Sequence, residues 1–193
     1  IEPRQRFLIV CEGSKTEPNY FKQFRVSTTP EIIELNIVGA GSNTISVIET
    51  AIKNRNERKL KKEPLYDQIW CVFDRDSFPA QRFNEALALA QREKIRVAYS
   101  NEAFELWYLL HFDYHQSGIP RASYIEMLNQ KERLDGQYKK NSTDIYEKLL
   151  PKQATAIKNA EKLLQYYTPS SPEQDNPSTT VHLLVKELNR FIP

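Results

Sequence analysis

Two short apolar runs end on carboxylates: Phe7-Leu8-Ile9-Val10-Cys11 leads into Glu12-Gly13, and Ile69-Trp70-Cys71-Val72-Phe73 leads into Asp74-Arg75-Asp76. Runs this continuous fit strands buried on both faces, the kind found in parallel sheets covered by helices. Open α/β sheets bind ligands beyond the carboxyl ends of their strands, so the three acids are expected at one rim. Unpaired carboxylates held that close repel one another and raise each other's pKa values. The arrangement makes chemical sense around a hard divalent cation such as Mg2+ or Mn2+.

The remaining pattern supports such a sheet. Residues Thr16 to Arg25 carry Tyr20, Phe21 and Phe24 at helical spacing, with Thr16 as the candidate N-cap and Glu17 and Pro18 in the first turn. Ile32 to Val38 reads as a second strand, Gly39 to Asn43 as a turn, and Thr44 to Lys62 as an amphipathic helix with Ile45, Ile48, Ile52 and Leu60 on one face. Gln68 to Phe73 is the third strand, Pro79 to Glu93 a helix with Phe83, Leu87 and Ala90 inward, and Arg96 to Tyr99 the fourth strand. This βαβαβαβ order predicts a parallel sheet with right-handed crossovers.

Beyond Asn101 the pattern turns helical: Phe104 to Phe112, Ala122 to Gln130, Asp144 to Leu150, Ala154 to Tyr167 and Val181 to Ile192. Gln130 to Thr143 reads as a charged surface connection, and the Pro- and Ser/Thr-rich stretch Thr168 to Thr180 as an exposed, mobile loop. The expected fold class is therefore α/β, a central parallel sheet flanked by helices with a helical C-terminal half. One domain is expected over residues 1–193, with an α/β core over 1–112 and a helical cap and extension over 113–193.

Composition narrows the class without naming a function. At 193 residues and 40% hydrophobic content the chain can bury one good core. Its two cysteines, Cys11 and Cys71, sit inside the apolar runs in no metal or disulfide spacing, which suits a reducing cytoplasm. No stretch approaches the roughly 20 apolar residues that span a bilayer, and no signal-peptide pattern precedes the first run, so a soluble cytoplasmic protein is expected. The chain opens at Ile1 rather than Met, which leaves room for residues upstream. A net charge of +2 argues against a globally basic nucleic-acid binder but permits local patches.

Glu12 at a strand tip can be a metal ligand or a general base, and Gly13 lets the backbone turn tightly or approach a phosphate. Glu17 either joins the site or complements its helix dipole. Lys15 can neutralise a phosphate or simply face solvent. Asp74 and Asp76 point to one side if their strand continues, so both can share a cation, while Arg75 points away toward a surface ion pair. Glu105 starts an apolar helix as a further ligand or as a helix-start acid. Asn101 either orients water or phosphate or caps that helix, and Ser178, Thr179 and Thr180 cap the last helix or present its start to a phosphate. His111, His115 and His182 show no ligand spacing, and His111 fits a satisfied, partly buried histidine. Lys53, Arg55, Arg58, Lys59, Lys61 and Lys62 form a basic run, which is either a solvated helix face, the commoner case, or a nucleic-acid contact.

The Glu-Gly turn after the first strand plus DxD after a later one resembles the Toprim signature of topoisomerases, primases and overcoming-lysogenization-defect nucleases. More closely, Val10-Cys11-Glu12-Gly13 with Thr16-Glu17 and Tyr20-Phe21, Phe73-Asp74-Arg75-Asp76, Ser100-Asn101 with Phe104-Glu105-Leu106-Trp107, and Asn176-Pro177-Ser178-Thr179-Thr180-Val181 resemble the RloB family. The resemblance implies a Toprim-like, Rossmann-like fold in a bacterial protein of restriction loci and abortive phage resistance. It also implies metal-dependent phosphodiester cleavage, with Glu12, Asp74 and Asp76 as catalytic metal ligands and Glu17 and Glu105 completing a two-metal site. Nucleases of that type use a lysine near the site, for which Lys139 and Lys140 are the candidates. The implied partners are DNA or RNA, an ATPase encoded alongside and a second copy of the chain.

Three function classes follow. The first is a Mg2+-dependent nuclease, and the second a catalytically silent Toprim-like module that senses nucleic acid or a partner ATPase. The third is a phosphatase-like enzyme with Asp74 as nucleophile, which the strand-one glutamate disfavours. Neither GxGxxG after the first strand nor a P-loop occurs, so dinucleotide binding and ATP hydrolysis are not expected of this chain.

Overall fold

A computed structural model describes residues 5–24, 33–41, 43–76 and 79–192. The elements run β1 (Gln5–Cys11), α1 (Thr16–Lys22), β2 (Ile33–Gly39), α2 (Thr44–Leu60), β3 (Gln68–Asp74), α3 (Ala80–Arg92) and β4 (Arg96–Asn101). A helical half follows with α4 (Glu105–Leu109), α5 (Arg121–Leu128), α6 (Ile145–Leu149), a 3₁₀ turn (Leu150–Lys152), α7 (Gln153–Tyr166), β5 (Ser178–Thr179) and α8 (Val181–Asn189). The mixed α/β class with a mostly parallel central sheet is as expected from the sequence. Three residues assigned from the sequence, Arg25 in the first helix, Ile32 in the second strand and Ser42 in the turn, lie outside the described residues.

The strand order is β2-β1-β3-β4-β5, with β1 to β4 parallel and β5 antiparallel to β4. The chain leaves β1 for β2 on one side and returns for β3 on the other. β1 and β3 are thus neighbours across the point where the winding reverses, where open α/β sheets form their ligand crevice. In register, Cys11 stands opposite Val72, and the Glu12 N–H donates to the Val72 carbonyl at 2.8 Å. Both acidic strand ends therefore reach the rim together.

Alternation along the strands divides the interior into two cores. Leu8, Val10, Cys71 and Phe73 face α2 and α3, packing with Val47, Ile48, Ala51, Phe83, Ala86 and Ala90. Phe7, Ile9, Cys11, Trp70 and Val72 face the other way, toward the aromatic residues of α1 and α4 and the apolar sides of α7 and α8. Because both faces are covered, the strands carry no polar alternation, which is why they read as continuous runs.

Several sequence expectations are corrected. Thr16 is the first helical residue rather than the N-cap, and its Oγ1 donates to the Lys140 carbonyl at 2.7 Å. Leu60 is 82% exposed at the end of α2, where the apolar stripe has already rotated off the core. Asn101 ends β4 instead of capping α4, with its Nδ2 donating to the Pro172 carbonyl at 3.3 Å. The stretch 168–180 is anchored: Asp175 is buried and accepts from the Ser171 N–H at 2.8 Å, and Ser178 and Thr179 form β5 on the edge of β4. Thr180 takes the N-cap position of α8 without a side-chain cap, its Oγ1 instead accepting from the Tyr99 N–H at 3.0 Å. The 130–143 connection is likewise tied down, with Leu134 and Tyr138 buried.

Candidate metal centre

β1 and β3 deliver Glu12 and Asp74 side by side, and the Glu12 Oε2 accepts from the Asp74 N–H at 3.0 Å. Asp76 reaches the same place by a different route from the one expected. β3 stops at Asp74, and Asp76 sits at φ +49°, in the left-handed region that Asp tolerates better than most residues. Its N–H donates to the Glu102 carbonyl at 3.1 Å, so a turn rather than strand alternation returns its carboxylate beside Asp74. Arg75 turns away as expected and donates to the Glu173 carbonyl at 3.2 Å and the Asp76 carbonyl at 3.0 Å.

Glu12, Asp74 and Asp76 can each offer an oxygen such that all three lie within 4.8 Å of one another. They line a cleft of about 340 Å3 together with Glu17, Glu105, Thr16, Phe104, Arg121 and Lys140. Glu17 projects from the first turn of α1 and is only 6% exposed; the N–H groups of Gly13 and of Glu17 itself donate to its carboxylate. A Cβ at Gly13 would meet the Glu17 carboxylate, so that side chain would have to shift out of its present place. Glu105, the first residue of α4, is 3% exposed and accepts at Oε1 from the Tyr138 hydroxyl at 3.0 Å. A second, more apolar cleft of about 280 Å3 also has Glu12 in its lining and bears Arg75 and Arg82.

The electrostatics are those of a crowded acid site. Burial pushes the Glu12 carboxyl up to about 7, with Asp76 and Glu17 adding to the effect against the Asp74 N–H and Arg121. Burial likewise raises Asp74 and Glu17, reinforced by Glu17 and Glu105 respectively, and raises Asp76 despite Arg121 beside it. Arg121 is the residue that the sequence did not reveal. From the first turn of α5, its Nη2 donates to Asp74 Oδ2 at 2.6 Å and to Asp76 Oδ1. Burial disfavours its charge, but Asp74, Asp76, Glu105 and Glu17 outweigh that and hold its pKa above the ordinary guanidinium value. Its only sequence signal is its place just after Gly118-Ile119-Pro120, a loop that starts a helix.

All five acids singled out from the sequence thus meet in one cleft, and Lys140 joins them because Thr16 and Asn19 of α1 donate to the Lys140 and Asn141 carbonyls. The other cations lie elsewhere. Lys15 and Lys139 are exposed and outside the cleft lining. Arg55 pairs with Glu93 at 2.6 Å and Arg58 with Glu34 at 2.7 Å, while Lys59 is exposed. At 1.5 Å per residue Arg55 is roughly 17 Å along α2 from the rim, toward the opposite end of the sheet. His111 is a core histidine, fully buried rather than partly so and only half satisfied: its Nδ1 lies 2.9 Å from the Trp107 carbonyl, its Nε2 has no partner among the described residues, and burial lowers its pKa to about 4.

A family model for RloB-like proteins matches residues 7–188, a span that includes every acid of the cleft. The chain belongs to the RloB-like family. No curated protein matches its sequence. In this RloB-like chain the acid cluster is compatible with metal binding on two counts. The ligand set is all oxygen, as hard divalent cations prefer. In addition, Asp74 Oδ1 is buried and has no hydrogen-bond partner among the described residues, leaving a carboxylate oxygen to be satisfied. Among the described residues no helix is long and apolar enough to cross a membrane.

Proposed function

We propose that this RloB-like chain is a Mg2+- or Mn2+-dependent nuclease that hydrolyses phosphodiester bonds of DNA or RNA in bacterial anti-phage defence. The observation that carries the reading is the Glu12, Asp74, Asp76 cluster, with oxygens within 4.8 Å of one another and the buried Asp74 Oδ1 unsatisfied. Glu12, Asp74 and Asp76 would hold one ion, with Glu17 and Glu105 on the same cleft as ligands for a second. Bound divalent ions supply Lewis-acid polarisation of the phosphodiester and a more acidic water.

The chain's own residues have complementary tasks. Glu12, with its carboxyl pushed up to about 7, suits proton acceptance near neutral pH if it is not committed as a ligand. Lys140 at the cleft wall offsets phosphate charge. The chain has no P-loop, so an ATPase partner would supply any nucleotide-driven control. The exposed Lys59 and the other helix cations would contribute at most a salt-sensitive outer contact, and the proposed compartment is the cytoplasm.

A second reading, a catalytically silent module that binds nucleic acid or a partner, draws support from Arg121, which already neutralises two of the acids. The two readings separate in a cleavage assay on end-labelled single- and double-stranded DNA and RNA with Mg2+, Mn2+ or EDTA. The nuclease reading expects metal-dependent products, reduced roughly 100-fold or more in Asp74→Asn and Glu12→Gln variants of unchanged fold. Binding without cleavage under either metal would establish the silent module instead.

A further inference from the structure

Arg121 bridges Asp74 and Asp76 through a single nitrogen, Nη2, and so occupies one oxygen on each of two carboxylates that the proposed cation would use. A guanidinium and a divalent ion crowded onto the same two carboxylates repel each other. Asp74 Oδ1 is not involved in the bridge and, buried, has no hydrogen-bond partner among the described residues, so it remains to be satisfied once the arginine has moved. The arginine is only partly buried. It begins α5 directly after Pro120, its side chain is 34% exposed, and it borders a cleft of about 340 Å3 whose wall also carries Lys140. Its long stem can carry the head group across that space without moving the helix.

From these contacts we infer that Arg121 serves in two positions: it neutralises Asp74 and Asp76 before a metal binds, and it swings into the cleft to hold substrate phosphate oxygens once a divalent cation has taken its place. The inference rests on the proposed metal-dependent function. A planar guanidinium pairs with phosphate through two parallel N–H bonds, which suits it to the second position better than a lysine. With Lys140 on the same wall, the displaced head group gives the cleft two cations facing the anionic backbone of a nucleic acid. Displacement also couples the two binding events. Metal must outcompete the arginine, and the arginine becomes available for phosphate only after metal binds.

The test measures two affinities on the full chain, neither of them cleavage. Mn2+ binding alone is followed by electron paramagnetic resonance of the free ion, and binding of a fluorescent single-stranded oligonucleotide is followed in Ca2+. Arg121→Gln is expected to bind Mn2+ at least about fivefold more tightly and the oligonucleotide at least about fivefold more weakly, the lower end of typical coupling between sites. A merely structural ion pair would not move the two affinities in opposite directions. Unchanged or weaker Mn2+ binding in the variant overturns the competition, and unchanged oligonucleotide binding overturns the phosphate role. If Arg121→Gln does not fold, Arg121→Lys, which keeps the charge but loses the fork, must still weaken oligonucleotide binding, and equal affinity overturns the inference. Absence of Mn2+ binding in the unsubstituted chain would instead remove the metal-dependent function on which it rests.

Discussion

With its carboxyl pushed up to about 7 by burial, Glu12 holds a proton in the folded state at pH values where the unfolded chain, near 4.5, has released it. The sign follows from linkage: its contribution to stability is full below about 4.5 and is lost as pH rises through about 7. The expected outcome is that metal-free protein loses stability between those values and that Glu12→Gln flattens the loss by on the order of 2 kcal/mol, read from urea midpoints across the pH series. An unchanged pH slope in the variant would mean that Glu12 is not the titrating group. At this scale the sequence was partly legible. Glu12, Asp74, Glu17 and Glu105 could be read because each directly ends a strand or opens a helix. Arg121 could not, because it joins the acids only through tertiary approach of α5. Asp76 stands beside Asp74, but a left-handed turn rather than strand alternation puts it there.

Elements with a strong period were legible, and the weak ones were not. The continuous runs of β1 and β3 and the helical spacing of α1 and α3 survive in the structure because burial on defined faces sets them. β5 is two residues long, too short for any period, and the Pro- and Ser/Thr-rich segment before it looks like solvent-exposed loop. What holds it is hydroxyl chemistry: Thr179 Oγ1 lies 2.9 Å from Ser100 Oγ, donates to the Tyr99 carbonyl at 3.2 Å and accepts from the Val181 N–H at 3.3 Å. Thr179→Val keeps the shape and removes those bonds in a buried place, so a loss of about 1–3 kcal/mol is expected. Denaturant unfolding should show the midpoint falling at constant m-value, and an unchanged midpoint would mean that the strand edge is held by other contacts.

The whole molecule closes its two cores around the sheet with all five acids at one rim, so the fold is expected to stand without a cation, and the proposed ion would add to its stability. A cation at 100 times its dissociation constant adds about 2.7 kcal/mol to the folded state. For a chain of this size each kcal/mol moves the melting temperature by roughly 2–4 °C. Saturating Mn2+ is thus expected to raise the melting temperature by roughly 5–10 °C, EDTA to return it to the metal-free value with secondary structure intact, and Asp74→Asn to abolish the rise. A shift that persists in Asp74→Asn would place the cation elsewhere. The strand order itself was only implicit in the sequence: alternation announces parallel strands, but whether β1 neighbours β3 depends on which side each crossover takes. One deeper link connects the rim to the interior. Trp107 Nε1 donates to the Tyr20 hydroxyl at 2.9 Å, tying α4 to α1 beneath the cleft, and these two helices carry Glu105 and Glu17. The gap between that second pair of acids is therefore a dimension of the aromatic core. If the proposed ion binds there, resizing Trp107 or Tyr20 would alter the spacing of its ligands without exchanging the acids.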